Sequence, residues 1–208
     1  MENSEKYLSE IKEIRKMMEE SSRFLSLSGL SGILVGIYAI VGSFVTYRII
    51  NHEEFKSSLL NTSAANDVML IAAVVLILSV LTIVLLTFRR VRKAGKRFLN
   101  PGSRLMLLNL AIPLVSGGVL ILVLAANGIY GILASSCLIF YGLALINAAK
   151  FTRQEIFWLG IFEVTLGILA ALIPSLGLLF WALGFGVLHI IYGILMYFRY
   201  EHNKESRS

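Results

Sequence analysis

The chain is a strongly apolar, moderately basic protein of 208 residues, with 57% hydrophobic residues and a formal net charge of +6. Its polar segments are short, and none is long enough to bury a core of its own, which excludes a separate soluble domain. The single cysteine, Cys137, excludes an intrachain disulfide.

Residues 1–23 form a charged segment with an apolar seam. Tyr7, Ile11, Ile14 and Met18 recur at helical spacing, and opposite charges four residues apart support a helix on the other faces. We predict a cytoplasmic amphipathic helix that covers the bundle or lies at the lipid headgroups, with docking of a protein partner as the alternative. The first apolar stretch lacks a small-residue cleavage pattern, so we expect it to remain as an anchor.

Six apolar stretches follow within residues 24–198, each with about the 20 residues that a hydrocarbon core of about 30 Å requires. They are Phe24–Tyr47, Val68–Phe88, Leu105–Ala126, Gly128–Ala149, Gln154–Ile173 and Leu176–Phe198. Short turns at Asn127-Gly128 and Pro174-Ser175 make neighbouring stretches antiparallel. The predicted fold is all-α, a polytopic membrane protein with six transmembrane helices as three antiparallel hairpins, and residues 199–208 form a cytoplasmic tail.

The positive charges are distributed unevenly between the two sides of this topology. Of the 19 Lys and Arg residues, only Arg48 and Lys56 fall on the side opposite the N-terminus. The positive-inside rule then places both termini in the cytoplasm.

A basic loop separates the second and third stretches and contains no acidic residue. Its charges include Arg89, Arg90, Arg92, Lys93, Lys96 and Arg97. Such a loop either only fixes the topology or faces and attracts anionic membrane lipid. Nucleic acid is not expected as a partner, because no groove-reading motif accompanies the charges.

Small residues mark the helix faces that pack closely in a membrane, where leucine and lipid are equally apolar. The predicted packing positions in spans one, five and six are Gly32 and Gly36, Gly160 and Gly167, and Gly186 and Gly193. Span two has no glycine between Val68 and Phe88. We therefore expect spans one, five and six at the centre of the bundle and span two facing lipid.

One acid and one histidine interrupt the apolar spans. Glu163 and His189 each lie three residues after one glycine and four before another, and both are predicted about 14 Å from the cytoplasmic face. An isolated carboxylate at this depth is costly, so we expect the two side chains to form a pair. The pair is either a proton-linked relay or gate, or a hydrogen bond that only orients two helices.

Other polar residues suggest weaker sites. Asn109 and Asn147 lie at matching depth in spans three and four, which predicts an amide–amide hydrogen bond. Pro113 predicts a kink in span three, with a substrate site as the less favoured alternative. His52-Glu53-Glu54, with Asp67, is expected to be a solvated loop rather than a metal site, because no closed metal-ligand spacing accompanies it.

A faint internal repeat is visible in the second half of the chain. Tyr141-Gly142 recurs as Tyr192-Gly193 after 51 residues, which suggests duplication of a two-helix unit. The segment Gly167–Pro174, followed by Tyr192–Leu195, resembles the acid-resistance membrane protein family, small bacterial six-span proteins built from repeated hairpins. The resemblance implies a stress-related inner-membrane protein and transfers no catalytic residue.

The chain carries no pattern that predicts catalysis or a cofactor. Span four has Ser135 without the Gly-x-Ser-Gly context of rhomboid-type proteases, and His189, the single histidine within a span, excludes a haem held between two histidines. We expect a non-enzymatic protein without cofactor or metal that acts through protein or lipid partners in the envelope stress response, with a homo-oligomer left open. The alternative is a small transporter or proton-coupled channel that uses Glu163 and His189.

Overall fold

The computed structural model describes Tyr7, Ile11 and residues 28–51, 62–93, 95 and 101–202. All elements in these ranges are helices and turns, and no strand occurs among the described residues. Tyr7 and Ile11 are helical, while the rest of the predicted N-terminal helix lies outside the described residues. So do His52-Glu53-Glu54, Lys96, Arg97 and residues 203–208.

Five helices precede a final interrupted one. They are α1 (Gly29–Ile50), α2 (Thr62–Lys93), α3 (Pro101–Ala126), α4 (Leu133–Ala149) and α5 (Gln154–Leu172). The final rod, which we call span six, begins with a 3-10 turn at Pro174–Leu176 and continues as α6 (Gly177–Trp181), a π segment (Ala182–Leu188), α7 (His189–Tyr197) and a second π segment (Phe198–His202).

Length and composition make this a helical membrane protein. Five helical segments of the described residues are long and apolar enough to cross a bilayer, namely α1, most of α2 and α3, α5, and Pro174–Tyr200. The helix α4 is apolar but has only 17 residues, which corresponds to about 26 Å. Five of the six predicted spans thus contain a helix long enough to cross a bilayer, while α4 is shorter than the span predicted at residues 128–149.

The short α4 corrects the predicted start of span four. Gly128 has a φ of 72°, and residues 127–132 are turns and irregular backbone, so the helix begins at Leu133. The left-handed backbone at Gly128 stops the preceding helix at Ala126, because only glycine adopts this conformation without strain. The connection between α3 and α4 is therefore longer than the two-residue turn that was predicted.

The predicted basic loop is also partly wrong. The helix α2 continues through Arg89, Arg90, Arg92 and Lys93, so these charges lie along a helix end rather than in a loop. Cationic side chains in the last helical turn interact favourably with the carbonyl end of the helix dipole, which explains why the helix extends beyond its apolar part.

Burial separates a lipid-facing part from a packed part. In α2 and α3 only 6% of the apolar window is buried, whereas in α1 and α5 the share is 33%. The exposed side chains of α2 are mainly leucine and valine, such as Leu76, Leu81 and Val84. Side chains of this kind are stable against lipid tails, and the expected lipid contact of span two agrees with their exposure.

Glycine-mediated contacts join α1 to span six and α4 to α5. A first side-chain carbon on Gly36 would lie 2.6 Å from Gly186 O, and one on Gly193 would lie 2.6 Å from Gly29 O. In the other pair, a carbon on Gly142 would lie 2.6 Å from Gly160 O. In each pair, residue numbers rise along one helix while the numbers of the residues it contacts on the other helix fall, so both pairs are antiparallel.

Five of the six glycines predicted for packing have backbone atoms of a neighbouring helix within 3.1 Å of the added carbon, and the sixth, Gly186, faces the Ile40 side chain at 2.7 Å. The expected centre of the bundle was nevertheless incomplete, because α4 belongs to it: Leu138 and Ala144 are both 0% exposed. The repeated dipeptide now has a structural meaning, since Gly142 and Gly193 each press against the backbone of a neighbouring helix.

Candidate functional site

The candidate site begins with a carboxyl group buried in the packed part of the bundle. Glu163 lies on the face of α5 that carries Gly160 and Gly167, and its residue exposure is 0%. It is the one acidic residue in the buried class among the described residues. Close packing at the two glycines brings α4 against this face and removes Glu163 from any contact with lipid.

His189 lies beside Glu163, at the start of α7. The residue is 4% exposed, and its Nδ1 is 3.4 Å from Glu163 Oε1. The structure therefore brings together the acid and the histidine that the two matching sequence spacings singled out.

The two ring nitrogens of His189 have different partners. Nδ1 lies 3.0 Å from Gly184 O, and Nε2 lies 2.7 Å from the hydroxyl of Tyr141. Because a carbonyl oxygen only accepts hydrogen bonds, Nδ1 must carry the proton that it donates to Gly184 O. In the neutral imidazole Nε2 is then the acceptor, and Tyr141 donates to it.

The π segment supplies the carbonyl that holds this tautomer. Gly184 lies five residues before His189, and the wider turn at Ala182–Leu188 places its carbonyl against the ring. Gly184 also makes room for the acid, since a side-chain carbon there would lie 2.5 Å from Glu163 Oε2 and 2.5 Å from Leu138 Cδ2. An alanine at this position would displace the ends of both side chains.

Aromatic rings enclose the imidazole. The ring centroids of Phe185 and His189 are 6.0 Å apart in a stacked arrangement, and those of Tyr141 and Phe185 are 5.0 Å apart. Trp181 extends this group with a centroid 5.1 Å from that of Phe185. The rings limit the reorientation of His189 and keep its hydrogen bonds in a largely apolar environment.

The carboxyl group of Glu163 is the incompletely satisfied part of the site. Neither of its oxygens has a hydrogen-bond partner among the described residues, since the nearby Nδ1 donates to Gly184 O instead. An ionised carboxylate is costly in such a place without a compensating charge or hydrogen bonds. Glu163, His189 and Tyr141 together form a short row of groups that can each accept and release a proton.

Sequence reasoning missed Tyr141 and Gly184 as members of the site. Tyr141 belongs to the repeated Tyr-Gly dipeptide, but the tyrosine of the second copy, Tyr192, differs from it in hydrogen bonding. The hydroxyl of Tyr192 is buried without a hydrogen-bond partner among the described residues. Only the three-dimensional placement of span six distinguishes the two tyrosines.

The secondary polar pair does not form as predicted. Asn109 Nδ2 donates to Leu105 O in its own helix at 2.8 Å, so the expected bond to Asn147 is absent from the hydrogen bonds of the described residues. An amide that bonds to a carbonyl of its own helix satisfies its N–H donor without requiring a partner on another helix. Pro113 lies inside α3, which continues to Ala126.

A second polar cluster joins α5 to the end of span six. Arg199 Nη1 lies 2.9 Å from Glu155 Oε1, and Tyr200 donates its hydroxyl proton to the same oxygen at 2.7 Å. The guanidinium of Arg153 lies 3.4 Å above the ring of Tyr200, a cation–π contact. No group of three or more His, Cys, Asp or Glu residues lies close enough to hold a metal ion in the described part of the chain.

Fold and site together define a helical multi-pass membrane protein with an interior acid–histidine–tyrosine site. No family model matches the chain, and neither a curated protein nor a solved structure is significantly similar to it. The resemblance to the acid-resistance membrane protein family therefore stays a prediction.

Proposed function

We propose that this protein is a non-catalytic, multi-pass protein of a bacterial inner membrane, with both termini in the cytoplasm, and that it acts as a small proton-coupled transporter or channel. The proton-linked site is formed by Glu163 and His189, with Tyr141 as its third member. The observation that carries the proposal is the placement of an acid with 0% exposure and no hydrogen-bond partner among the described residues beside a histidine.

Burial of such an acid is difficult to explain by stability alone. An apolar or amide side chain in the same place would avoid the desolvation of a carboxyl group. Ionisable residues within membrane spans are rare and are concentrated on ion and proton pathways. A proton taken up at Glu163 neutralises the carboxylate. A proton taken up at His189 Nε2 turns that nitrogen into a donor, and the Tyr141 hydroxyl oxygen then accepts the hydrogen bond.

Proton flux into liposomes tests this function directly. The full chain is reconstituted, a pH difference is imposed with valinomycin present to carry the compensating charge, and an internal pH dye reports proton entry. We expect entry faster than in protein-free liposomes, and Glu163→Gln should return it to the protein-free rate. The matched control is Thr165→Val on the exposed face of the same helix, where the hydroxyl bonds only to Ile161 O.

Two results would contradict the proposal. If the wild-type protein transports no protons at any imposed pH gradient, Glu163 and His189 serve only as a contact between two helices. Flux that survives in Glu163→Gln would assign the pathway to another part of the molecule.

A second candidate function, action through a protein or lipid partner in the envelope stress response, is favoured by one feature. Tyr7 and Ile11 are helical residues four apart, and they are 62% and 61% exposed. Apolar side chains at this spacing share one helix face and fit either a partner helix, including one from a second copy of this chain, or a membrane surface.

The partner function predicts a defined stoichiometric complex after mild solubilisation of native membranes. Tyr7→Lys with Ile11→Lys should release the partner and leave the yield of the protein unchanged. A chain that is isolated alone in both forms, with an unchanged stress phenotype, would argue against this function.

A further inference from the structure

A cleft of about 350 Å³ opens where α5 meets the end of span six. Its lining consists of one acidic, one basic and three apolar side chains. These are Glu155, Arg199, Leu195, Met196 and Phe198. The cleft is separate from the interior site, which is lined by Glu163, His189 and Tyr141.

The position of the cleft matches the boundary between lipid tails and headgroups. Its apolar side chains Leu195 and Phe198 are 58% and 60% exposed on the outside of the bundle, where acyl chains lie. Its charged side chains come at the ends of the two apolar helices, and the Arg199 side chain is 69% exposed. Arginine at the end of a span reaches the headgroups from such a position.

The two charges of the cleft contact each other and retain binding capacity. The carboxylate of Glu155 is fixed through Oε1, which receives both Arg199 Nη1 at 2.9 Å and the Tyr200 hydroxyl at 2.7 Å. A carboxylate offers about four acceptor directions and a guanidinium five N–H donors. Both groups can therefore bind a ligand without giving up their mutual contact.

We propose that this cleft binds a phospholipid with a primary ammonium headgroup, of the phosphatidylethanolamine type. The ammonium group donates hydrogen bonds to Glu155, the phosphate accepts them from Arg199, and an acyl chain lies against Leu195 and Phe198. Charge complementarity selects this class of lipid. A choline headgroup has no N–H donor, and an anionic glycerol headgroup offers no positive charge to Glu155.

Lipid retention measured by native mass spectrometry tests the assignment independently of proton transport. The full chain is equilibrated with equimolar phosphatidylethanolamine, phosphatidylcholine and phosphatidylglycerol in mixed micelles, and the lipids that remain bound are counted. We expect phosphatidylethanolamine to be retained about fivefold more than either of the others, the factor that one well-placed charge contributes near a membrane surface.

Three substitutions locate the lipid. Glu155→Gln should abolish the preference for phosphatidylethanolamine over phosphatidylcholine, and Arg199→Gln should lower the retention of all phospholipids. Leu195→Trp keeps both charges and fills the cleft from an exposed position, so it should also lower retention without affecting the fold. The matched controls Asp67→Asn and Arg92→Gln remove exposed charges at the ends of α2 and should retain the wild-type preference.

The assignment would be overturned by equal retention of the three lipids in the wild-type chain. It would also be overturned by a preference for phosphatidylethanolamine that persists in Glu155→Gln, or by an unchanged lipid retention in Leu195→Trp. Since none of these measurements involves proton flux, failure of the transport function leaves the lipid result intact, and the reverse is also true.

Discussion

The two acids of α5 lie eight residues apart on one helix and have opposite environments. Glu155, at the helix end, has a side chain 22% exposed and receives an arginine and a tyrosine on one oxygen. Glu163, two turns further in, is 0% exposed and has no hydrogen-bond partner among the described residues. Glu155, the better-paired acid, is thus the one with access to solvent, where an ion pair contributes least to stability.

This contrast indicates different roles for the two residues. A well-paired, partly exposed acid at a helix end connects two helix ends at low cost. A poorly paired acid in the interior destabilises the fold, and such a cost is retained where a function depends on it. Measurements of unfolding free energy in detergent micelles can separate these roles.

The largest effect is expected at Gly184, which makes room for Glu163. Gly184→Ala should lower the unfolding free energy by about 2 kcal/mol, because the added carbon overlaps with both Glu163 and Leu138. The matched control is Gly118→Ala in α3, which has no atom within 4 Å of the added carbon and should gain about 0.5 kcal/mol from helix propensity. Equal effects at the two glycines would mean that Glu163 is not confined by span six.

Substitution of the interior acid should change stability in the direction opposite to a typical core mutation. Glu163→Gln should raise the unfolding free energy by about 1.5 kcal/mol, since the amide has no charged form whose burial would cost free energy. The same variant should lose proton flux. A variant that loses both stability and flux would instead indicate that the carboxyl group holds the helices together.

The two tyrosines of the repeat provide the next comparison. Tyr141→Phe should lower the unfolding free energy by about 1 kcal/mol, because it removes the hydrogen bond to His189 Nε2. Tyr192→Phe removes a hydroxyl with no hydrogen-bond partner among the described residues and should leave stability unchanged or slightly raised. If both substitutions cost the same, the Tyr141 hydrogen bond contributes nothing specific.

The smallest effect is expected at the end of the helix. Glu155→Gln should lower the unfolding free energy by about 0.5 kcal/mol, as for other exposed ion pairs, and the loss should shrink at high salt. Unfolding in 50 mM and 500 mM salt measures this dependence. A loss that does not respond to salt would indicate that the Tyr200 hydrogen bond, rather than the Arg199 charge, dominates the cluster.

Hydropathy and residue spacing predicted a large part of this molecule. The length of the apolar stretches predicted the helices, because a bilayer requires about 20 residues in each span. Glycines at helical spacing predicted the faces of α1, α5 and span six that pack, since only backbone approach gives specific contact between apolar helices in lipid. The shared spacing around Glu163 and His189 placed both groups on these faces.

The sequence could not predict the start of α4 or the full composition of the site. Residues 128–132 are as apolar as the helix that follows, so hydropathy alone does not show where the turn ends. The π segment leaves no recognisable sequence pattern, and without it the bond from His189 Nδ1 to Gly184 O is not foreseeable. Tyr141 resembles other core aromatics in sequence, and its hydroxyl gains a role only through the helix opposite.

The shortness of α4 has a consequence for how the surrounding bilayer is shaped. A rod of 17 residues is about 4 Å shorter than a typical hydrocarbon core. Lipids beside it must thin or the flanking turn at residues 127–132 must sink below the headgroups. Either response would shorten the distance between water and the end of α4, the helix that bears Tyr141.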